Sequence, residues 1–121
     1  MRYLWIAAGA VLGAIARYLI GGWFGARWPG LFPWGTWVIN ATGAFALGLL
    51  NGLAASRGGL SANLHLAIGV GFLGSYTTFS TWAYETVQLM ERGAPGLAGL
   101  YVMSSVAAGL VGAWLGLRVT T

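Results

Sequence analysis

The most informative stretch of this chain is Gly69-Val-Gly-Phe-Leu-Gly-Ser-Tyr-Thr-Thr-Phe-Ser-Thr81. It holds three glycines and then five Ser or Thr residues among seven positions, within an otherwise apolar segment. Glycine weakens a helix, and hydroxyl side chains compete with the helix for backbone hydrogen bonds. We therefore predict a helix that is broken near its middle; the alternative is a kinked helix whose hydroxyls bond their own carbonyls. Non-helical backbone at membrane depth must be buried in protein or must line a cavity.

The composition of the whole chain predicts an all-α integral membrane protein. Of 121 residues, 58% are hydrophobic and 7% are charged, and the mean hydropathy is +0.75. Soluble domains average about a quarter charged residues, so this chain cannot cover a water-facing surface. A spanning helix needs about 20 apolar residues, and four such helices fit this length. We expect one multi-pass domain over residues 1–121, with spans at about 3–24, 35–55, 64–90 and 96–117, in the lipid bilayer of the plasma (inner) membrane.

Turn-forming residues set the boundaries of these spans. Pro29, Gly30 and Pro33 separate the first two spans, and Ser61 is the expected N-cap of the third. Segment 3–24 runs too long for the hydrophobic region of a signal peptide, so we expect it to be the first span. The short connections make neighbouring spans antiparallel and put both ends of the chain on one side.

The basic residues are evenly divided between the two sides of this topology. One side has Arg2, Arg57 and Arg118, and the other has Arg17, Arg27 and Arg92. Membrane orientation normally follows an excess of Arg and Lys on cytoplasmic loops, and this chain has none. It is therefore expected to insert both ways up and to form an antiparallel homodimer of dual topology, although a balanced count in a small protein also arises by chance. The arginines are isolated, so no basic run is present that would follow a nucleic-acid backbone.

The residues required for most enzyme chemistry are missing. The chain contains no Cys, one His (His65) and two carboxylates (Glu85 and Glu91). Paired-carboxylate catalysis, histidine-based triads and ordinary zinc sites therefore lack their side chains. We predict that the protein is not an enzyme.

Polar side chains within the spans are the candidates for function, because such residues usually face the bundle interior or a water-filled path. Thr36 and Asn40 lie one turn apart in the second span. An asparagine amide donates two hydrogen bonds and accepts two. Asn40 therefore either links two helices by hydrogen bonds or faces a water-filled path. Asparagine is rare deep in a membrane span, which favours the second interpretation.

The broken third span offers backbone groups and ring edges for binding an ion. Freed carbonyls could hold a cation, while the N–H groups of a restarted helix could favour an anion. Phe72, Tyr76 and Phe79 are spaced four and three apart, so we expect them to share one face. Aromatic edges carry partial positive charge and could stabilise an anion without holding it too tightly to leave. Ordinary packing is the alternative for this aromatic stripe.

Small residues also recur at the spacing that allows helices to pack closely in lipid. The pairs are Gly9 and Gly13, Gly48 and Gly52, and Gly112 and Gly116. We expect most of these pairs to serve packing within the chain, while some of the faces meet a second subunit.

Three motifs in separate spans carry a family resemblance. They are Gly13-Ala-x-x-Arg17-Tyr18, Gly35-Thr36-x-x-x-Asn40-x-x-Gly43 and Gly74-x-x-Thr77-Thr-Phe79-Ser-Thr81. Together they resemble the motifs of the Fluc/CrcB fluoride channels, and the match covers essentially the whole chain. The resemblance implies a dual-topology antiparallel homodimer with two fluoride pathways and a structural sodium ion at the dimer centre.

The resemblance also implies roles for individual residues. The implied fluoride pathway comprises Thr36, Asn40, Phe79, Ser80, Thr81, Trp82, Tyr101 and Ser105. Asn40 would donate hydrogen bonds to fluoride and Phe79 would present its ring edge. Arg17 and Glu85 would lie at the vestibule, and Gly74 and Thr77 would give their backbone carbonyls to sodium.

Two positions depart from the family pattern. The family usually has a second Phe where this chain has Trp82, and commonly a Gly where Ser75 stands. Tryptophan keeps an aromatic edge and adds an N–H donor, but it is larger, which affects the position of that ring.

The function implied by these features is passive, fluoride-selective export that lowers cytoplasmic fluoride. The main alternative is a proton-coupled transporter of the small multidrug-resistance type, which resembles this chain in size and span number. Such transporters need a membrane-embedded acid in the first helix, and span one has none. A structural subunit of a larger complex is a third possibility, but it leaves Asn40 and the hydroxyl cluster at 77–81 without a role.

Overall fold

A computed structural model describes residues 1–56 and 58–121, and these residues are helical over most of their length. The helices are α1 (Arg2–Arg27), α2 (Trp34–Ala55), α3 (Ala62–His65), α4 (Gly74–Tyr76), α5 (Phe79–Glu91) and α6 (Pro95–Val119). A π-helical segment, Leu66–Leu73, joins α3 to α4 without interruption. No β-strand occurs among the described residues, so the all-helical prediction is confirmed.

Three helices, α1, α2 and α6, are long and apolar enough to cross a membrane. Their large side chains face outward: Leu12 of α1 is 61% exposed and Leu110 of α6 is 69% exposed. Exposed apolar surface of this extent has to be covered by lipid or by another protein. The chain is accordingly a multi-pass membrane protein.

The backbone leaves helical geometry at two residues between α4 and α5. Thr77 has φ −81° and ψ 158°, and Thr78 has φ −149° and ψ 118°, so both are extended. Thr78 is the N-cap of α5, because its hydroxyl accepts a hydrogen bond from the backbone N–H of Thr81 at 3.2 Å. Ser61 caps α3 in the same way, accepting from the N–H of Leu64 at 3.2 Å, which confirms the cap predicted there.

Glycines allow two close contacts between helices. A Cβ atom on Gly9 would overlap the carbonyl oxygen of Ala67, so α1 approaches the π-helical segment backbone to backbone. On the other side of the bundle, a Cβ on Gly48 of α2 would overlap the carbonyl oxygen of Ala113 in α6. The expectation that the glycine pairs serve packing within the chain is therefore confirmed for these helices.

The buried core is divided between two clusters. The first comprises Ile39, Leu50, Leu73 and Tyr76, and the second comprises Leu89, Ala98 and Tyr101. The first cluster joins α2 to the segment before the extended residues, while the second joins α5 to α6. The extended pair Thr77–Thr78 thus lies where the chain passes from one cluster to the other.

Candidate functional site

The centre of the candidate site is a pair of hydrogen bonds between Asn40 and Thr78. Asn40 Nδ2 donates to the carbonyl oxygen of Thr78 at 3.0 Å, and the backbone N–H of Thr78 donates to Asn40 Oδ1 at 2.8 Å. The two bonds fix the orientation of the amide, since exchanging its nitrogen and oxygen would break both. Asn40 therefore braces the extended backbone, and its second N–H hydrogen remains for another acceptor.

This pairing also redirects the backbone hydrogen bonds of the third span. In a continuous α-helix, the N–H of Thr78 would bond to the carbonyl of Gly74, and the N–H of Thr81 would bond to that of Thr77. Here the first N–H donates to Asn40 and the second to the hydroxyl of Thr78. The carbonyls of Gly74 and Thr77 consequently lose the amides that a continuous helix would give them.

A cavity of about 720 Å³ has Thr78 in its lining. The charged, hydroxyl and amide side chains that line it are Arg17, Tyr18, Thr36, Thr78, Thr81, Glu85, Gln88 and Arg92. We call it the first cavity. It brings together both residues predicted for the vestibule and two of those predicted for the pathway.

Glu85 is held in the first cavity by two hydroxyl donors. Tyr101 donates to Glu85 Oε1 at 2.8 Å, and Thr36 donates to Glu85 Oε2 at 3.1 Å. Both donors are buried, with Tyr101 at 0% exposure and Thr36 at 8%. The carboxyl group thus has a fixed position at the cavity wall, and Tyr101 supports it without lining either cavity.

Arg17 is anchored to the third span. Its Nε donates to the carbonyl oxygen of Ser75 at 3.1 Å, and the Ser75 hydroxyl in turn donates to the carbonyl oxygen of Ala10 at 2.8 Å. Ser75, one of the two departures from the family pattern, therefore ties α4 to α1. The Arg17 guanidinium keeps four further N–H hydrogens with which to meet an anion in the first cavity.

A second cavity, of about 400 Å³, is also lined by Thr78. Its polar and aromatic lining residues are Asn40, Thr77, Thr78, Phe79, Trp82 and Ser105, and Gly74 also lies on its wall. Ala44, Leu47, Leu73 and Val106 add apolar side chains to the lining. Thr78 lines both cavities, so its pair with Asn40 lies at their junction.

The predicted residues do not all lie where their spacing suggests. Phe72 and Tyr76 stack with ring centroids 5.7 Å apart, whereas Phe79 packs beside Trp82 at 5.5 Å and is 76% exposed. The expectation of one aromatic face across all three residues is wrong for Phe79, because the extended residues end the helical phase. Ser80 is exposed and lines neither cavity.

Thr78, Gln88 and Arg92 line the cavities but were not among the site residues predicted from the sequence. Gln88 and Arg92 line the first cavity on the same helix as Thr81 and Glu85. Positions 81, 85, 88 and 92 follow the spacing of one helical face, so the face of α5 that carries Glu85 could have been extended toward its C-terminus. Among the described residues there is no group of three or more His, Cys, Asp or Glu side chains that could hold a metal.

Known proteins resemble the chain over nearly its full length. Residues 4–117 match the family described as CrcB-like protein, Camphor Resistance (CrcB). A protein of Acidobacterium capsulatum named "Fluoride-specific ion channel FluC" is 47% identical over 119 residues, covering 98% of this chain and 95% of its own length. The "Fluoride-specific ion channel FluC 2" of Moorella thermoacetica is 47% identical over 116 residues, covering 96% and 93%. That of Geobacter sulfurreducens, "Fluoride-specific ion channel FluC", is 45% identical over 112 residues, covering 93% and 90%.

Proposed function

Because the chain belongs to the CrcB-like protein family, we propose that it is a passive, fluoride-selective channel that exports fluoride and lowers its cytoplasmic concentration. The relatives described above are named as ion channels, which agrees with the expectation of a protein that is not an enzyme. The observation that carries the proposal is the junction of two cavities at the Asn40–Thr78 pair.

Fluoride is small and strongly hydrated, so a path must replace its lost water with several hydrogen-bond donors. Arg17 supplies a positive charge in the first cavity, where Thr81 adds a hydroxyl. At the junction, the second N–H of Asn40 is such a donor, and Ser105 adds a hydroxyl in the second cavity. Selection against chloride rests on the width of the path and the spacing of its donors.

The aromatic residues of the second cavity contribute ring edges. Phe79 and Trp82 are tilted at 44° to each other, so their edges point in different directions. A ring edge carries partial positive charge and attracts an anion without the strength of a full charge. A ring edge beside the path can therefore attract an anion without holding it too tightly to leave.

Transport in this proposal needs no energy source. Weakly acidic HF crosses the membrane and dissociates inside, and a negative interior drives the anion outward by about 2.3 kcal/mol per 100 mV. The proton-coupled alternative requires an acid in the first helix, and α1 has none.

An antiparallel homodimer in the plasma (inner) membrane completes the proposed channel, which has two fluoride pathways. Phe79 lines the second cavity and is 76% exposed in the single chain, so a neighbouring surface is needed to close the path there. The even division of arginines supports insertion in both orientations. A Cys added after Thr121 tests this in a chain that has no other Cys: labelling from both faces of intact cells is expected, and labelling from one face alone contradicts dual topology.

We also propose that the third span is broken and that its carbonyls hold a structural sodium ion at the dimer centre. The carbonyl oxygens of Gly74 and Thr77 are suited to this, because the amides that would bond to them in a continuous helix are directed to Asn40 and Thr78. Carbonyl oxygen is a hard ligand that suits a hard cation. Two carbonyls from each protomer would give the ion four oxygen ligands.

Flux through liposomes tests the proposed function. Purified protein is reconstituted into fluoride-loaded liposomes, and a potassium ionophore is added to relieve the counter-voltage. Fluoride is expected to leave without a proton gradient, while chloride and protons, measured in parallel, stay inside. Fluoride movement that strictly requires a proton gradient would contradict the channel and favour the transporter.

A further inference from the structure

One face of α5 follows the wall of the first cavity over the whole length of the helix. Its polar side chains there are Thr81, Glu85, Gln88 and Arg92. Thr78, which pairs with Asn40, is the N-cap of this helix, and Arg92 is its C-cap. At a rise of about 1.5 Å per residue, the two caps lie about 20 Å apart along the helix axis. Arg92 is exposed, so it marks the outer end of this wall.

Arg92 decides the sign of the charge in the first cavity. The charged side chains that line the cavity are Arg17, Arg92 and Glu85, so two positive charges and one negative charge leave a net charge of +1. Glu91, the carboxylate next to Arg92 in the sequence, lines neither cavity. If Arg92 lost its charge, the cavity would be neutral.

The two arginines of the cavity lie in different surroundings. Arg17 is half-buried, and its Nε donates to the carbonyl oxygen of Ser75 at 3.1 Å. Arg92 is exposed at the end of its helix. An anion that arrives from water therefore meets the charge of Arg92 without first leaving its hydration shell.

The end of α5 would repel an anion in the absence of this charge. The C-terminal end of a helix carries partial negative charge, and α5 ends at Glu91. Glu85, two turns before this end, adds a full negative charge to the cavity wall if it is ionised. A cleft with low-dielectric walls focuses the field of the charges at its mouth, so a single arginine there has a large effect on the approach of an ion.

We propose that Arg92 is the entrance charge of the path, which draws the permeating anion into the first cavity. This inference rests on the proposed function and gives the C-terminal end of α5 a part in it. Arg92 lies about 20 Å from the Asn40–Thr78 junction along the helix, well beyond the Debye length of about 8 Å at physiological ionic strength. Its charge therefore acts on ions at the mouth, and its contribution depends on the salt concentration.

The salt dependence of fluoride efflux tests this assignment. Arg92→Gln removes the charge and keeps a polar side chain, while Arg92→Lys keeps the charge. At low fluoride and an ionic strength of about 0.01 M, Arg92→Gln is expected to release fluoride about twofold to fourfold more slowly than the unchanged chain. This is the effect of one unit charge about 5–10 Å from the ion in water. In about 1 M potassium gluconate on both sides of the membrane, where the Debye length is about 3 Å, the difference is expected to vanish.

Arg27 offers a matched control. It is the last residue of α1, its guanidinium carbon lies 5.6 Å from the ring centroid of Trp23, and it lines neither cavity. In the expected topology Arg27 lies on the same side of the membrane as Arg92, so Arg27→Gln changes the charge of the chain and the balance of arginines in the same way. Its efflux is expected to equal that of the unchanged chain at both salt concentrations, as is that of Arg92→Lys. All variants are compared at equal amounts of folded protein, measured by size-exclusion elution.

The outcomes distinguish this inference from the proposed function. If Arg92→Gln releases fluoride as fast as the unchanged chain at low salt, the entrance charge is overturned and the channel stands. A loss of equal size at both salt concentrations, or an equal loss in Arg27→Gln, also overturns it, because folding or the overall charge of the chain would then be responsible. If the unchanged chain releases no fluoride, the proposed function itself fails.

Discussion

Tyr101 and Glu85 are joined by a 2.8 Å hydrogen bond that connects a fully buried side chain of α6 to the wall of the first cavity. The tyrosine ring belongs to the core cluster with Leu89 and Ala98. Its hydroxyl extends from this cluster to the carboxyl group. The position of Glu85 in the cavity is therefore set by packing in the interior of the bundle.

Replacing Tyr101 with Phe keeps the ring in the core and removes the donor to Glu85. We expect the free energy of unfolding to fall by about 1–2 kcal/mol, the usual cost of leaving a buried acceptor without its partner. Thermal unfolding in detergent measures the change. Tyr84→Phe is the control, because Tyr84 lies on the same helix as Glu85 and is 64% exposed. If Tyr101→Phe is as stable as this control, the hydrogen bond from Tyr101 to Glu85 does not stabilise the fold as expected.

Replacing Asn40 with Asp retains the acceptor for the Thr78 N–H but exchanges the donating nitrogen for an oxygen. That oxygen would face the carbonyl oxygen of Thr78, where the 3.0 Å hydrogen bond now lies. Losing a donor to a charged ion costs about 1.5–3 kcal/mol, so fluoride efflux is expected to fall tenfold to roughly 100-fold. Asn51→Asp makes the same change at an exposed position outside both cavities and is expected to leave efflux unchanged.

Replacing Phe79 with Ile removes the ring edge from the second cavity and keeps apolar bulk. Fluoride efflux is expected to be about fivefold lower, in line with the strength of aromatic edge interactions. Phe45→Ile serves as the control, since Phe45 lines neither cavity. If fluoride efflux is normal in both Phe79→Ile and Asn40→Asp, the two side chains serve only packing within the protein and the proposed path is wrong.

Gly43 and Thr77 form a pair whose substitution effects depend on each other. A Cβ on Gly43 would overlap the methyl carbon Cγ2 of Thr77. Gly43→Ala alone is expected to destabilise the protein by about 1–3 kcal/mol through overpacking. Thr77→Ala alone is expected to be mild, because it loses one local bond to the carbonyl of Leu73 and keeps its own backbone carbonyl.

Combining Gly43→Ala with Thr77→Ala removes the overlapping methyl group, and the double variant is expected to recover part of the lost stability. Thermal unfolding and fluoride efflux of all four proteins form the cycle. Simple addition of the two losses would show that the overlap is relieved in another way.

The sequence was sufficient for the parts of the fold that depend on local pattern. Long apolar segments predicted the all-helical, multi-pass architecture, and Ser61 was identified as a helix cap from its position alone. Hydropathy and helix-cap patterns depend only on residues that are close together in the sequence. The face of α5 with Glu85, Gln88 and Arg92 was predictable by the same reasoning, although only Glu85 was identified.

Features that join distant parts of the chain were beyond such reasoning. The bonds between Asn40 and Thr78 connect residues 38 positions apart, and no spacing rule links them. The direction of Phe79 also depends on two extended residues, after which the helical phase of the preceding turn no longer applies. Trp82 Nε1 and the Ser105 hydroxyl oxygen are buried without a hydrogen-bond partner among the described residues, which likewise depends on the packing of the whole bundle.

The sharing of Thr78 by two cavities has an electrical consequence. In the proposed channel, an ion that passes from one cavity to the other moves along the backbone of Thr78, which lines both. The part of the membrane potential that falls across this step does electrical work on the ion, in proportion to about 2.3 kcal/mol per elementary charge for each 100 mV.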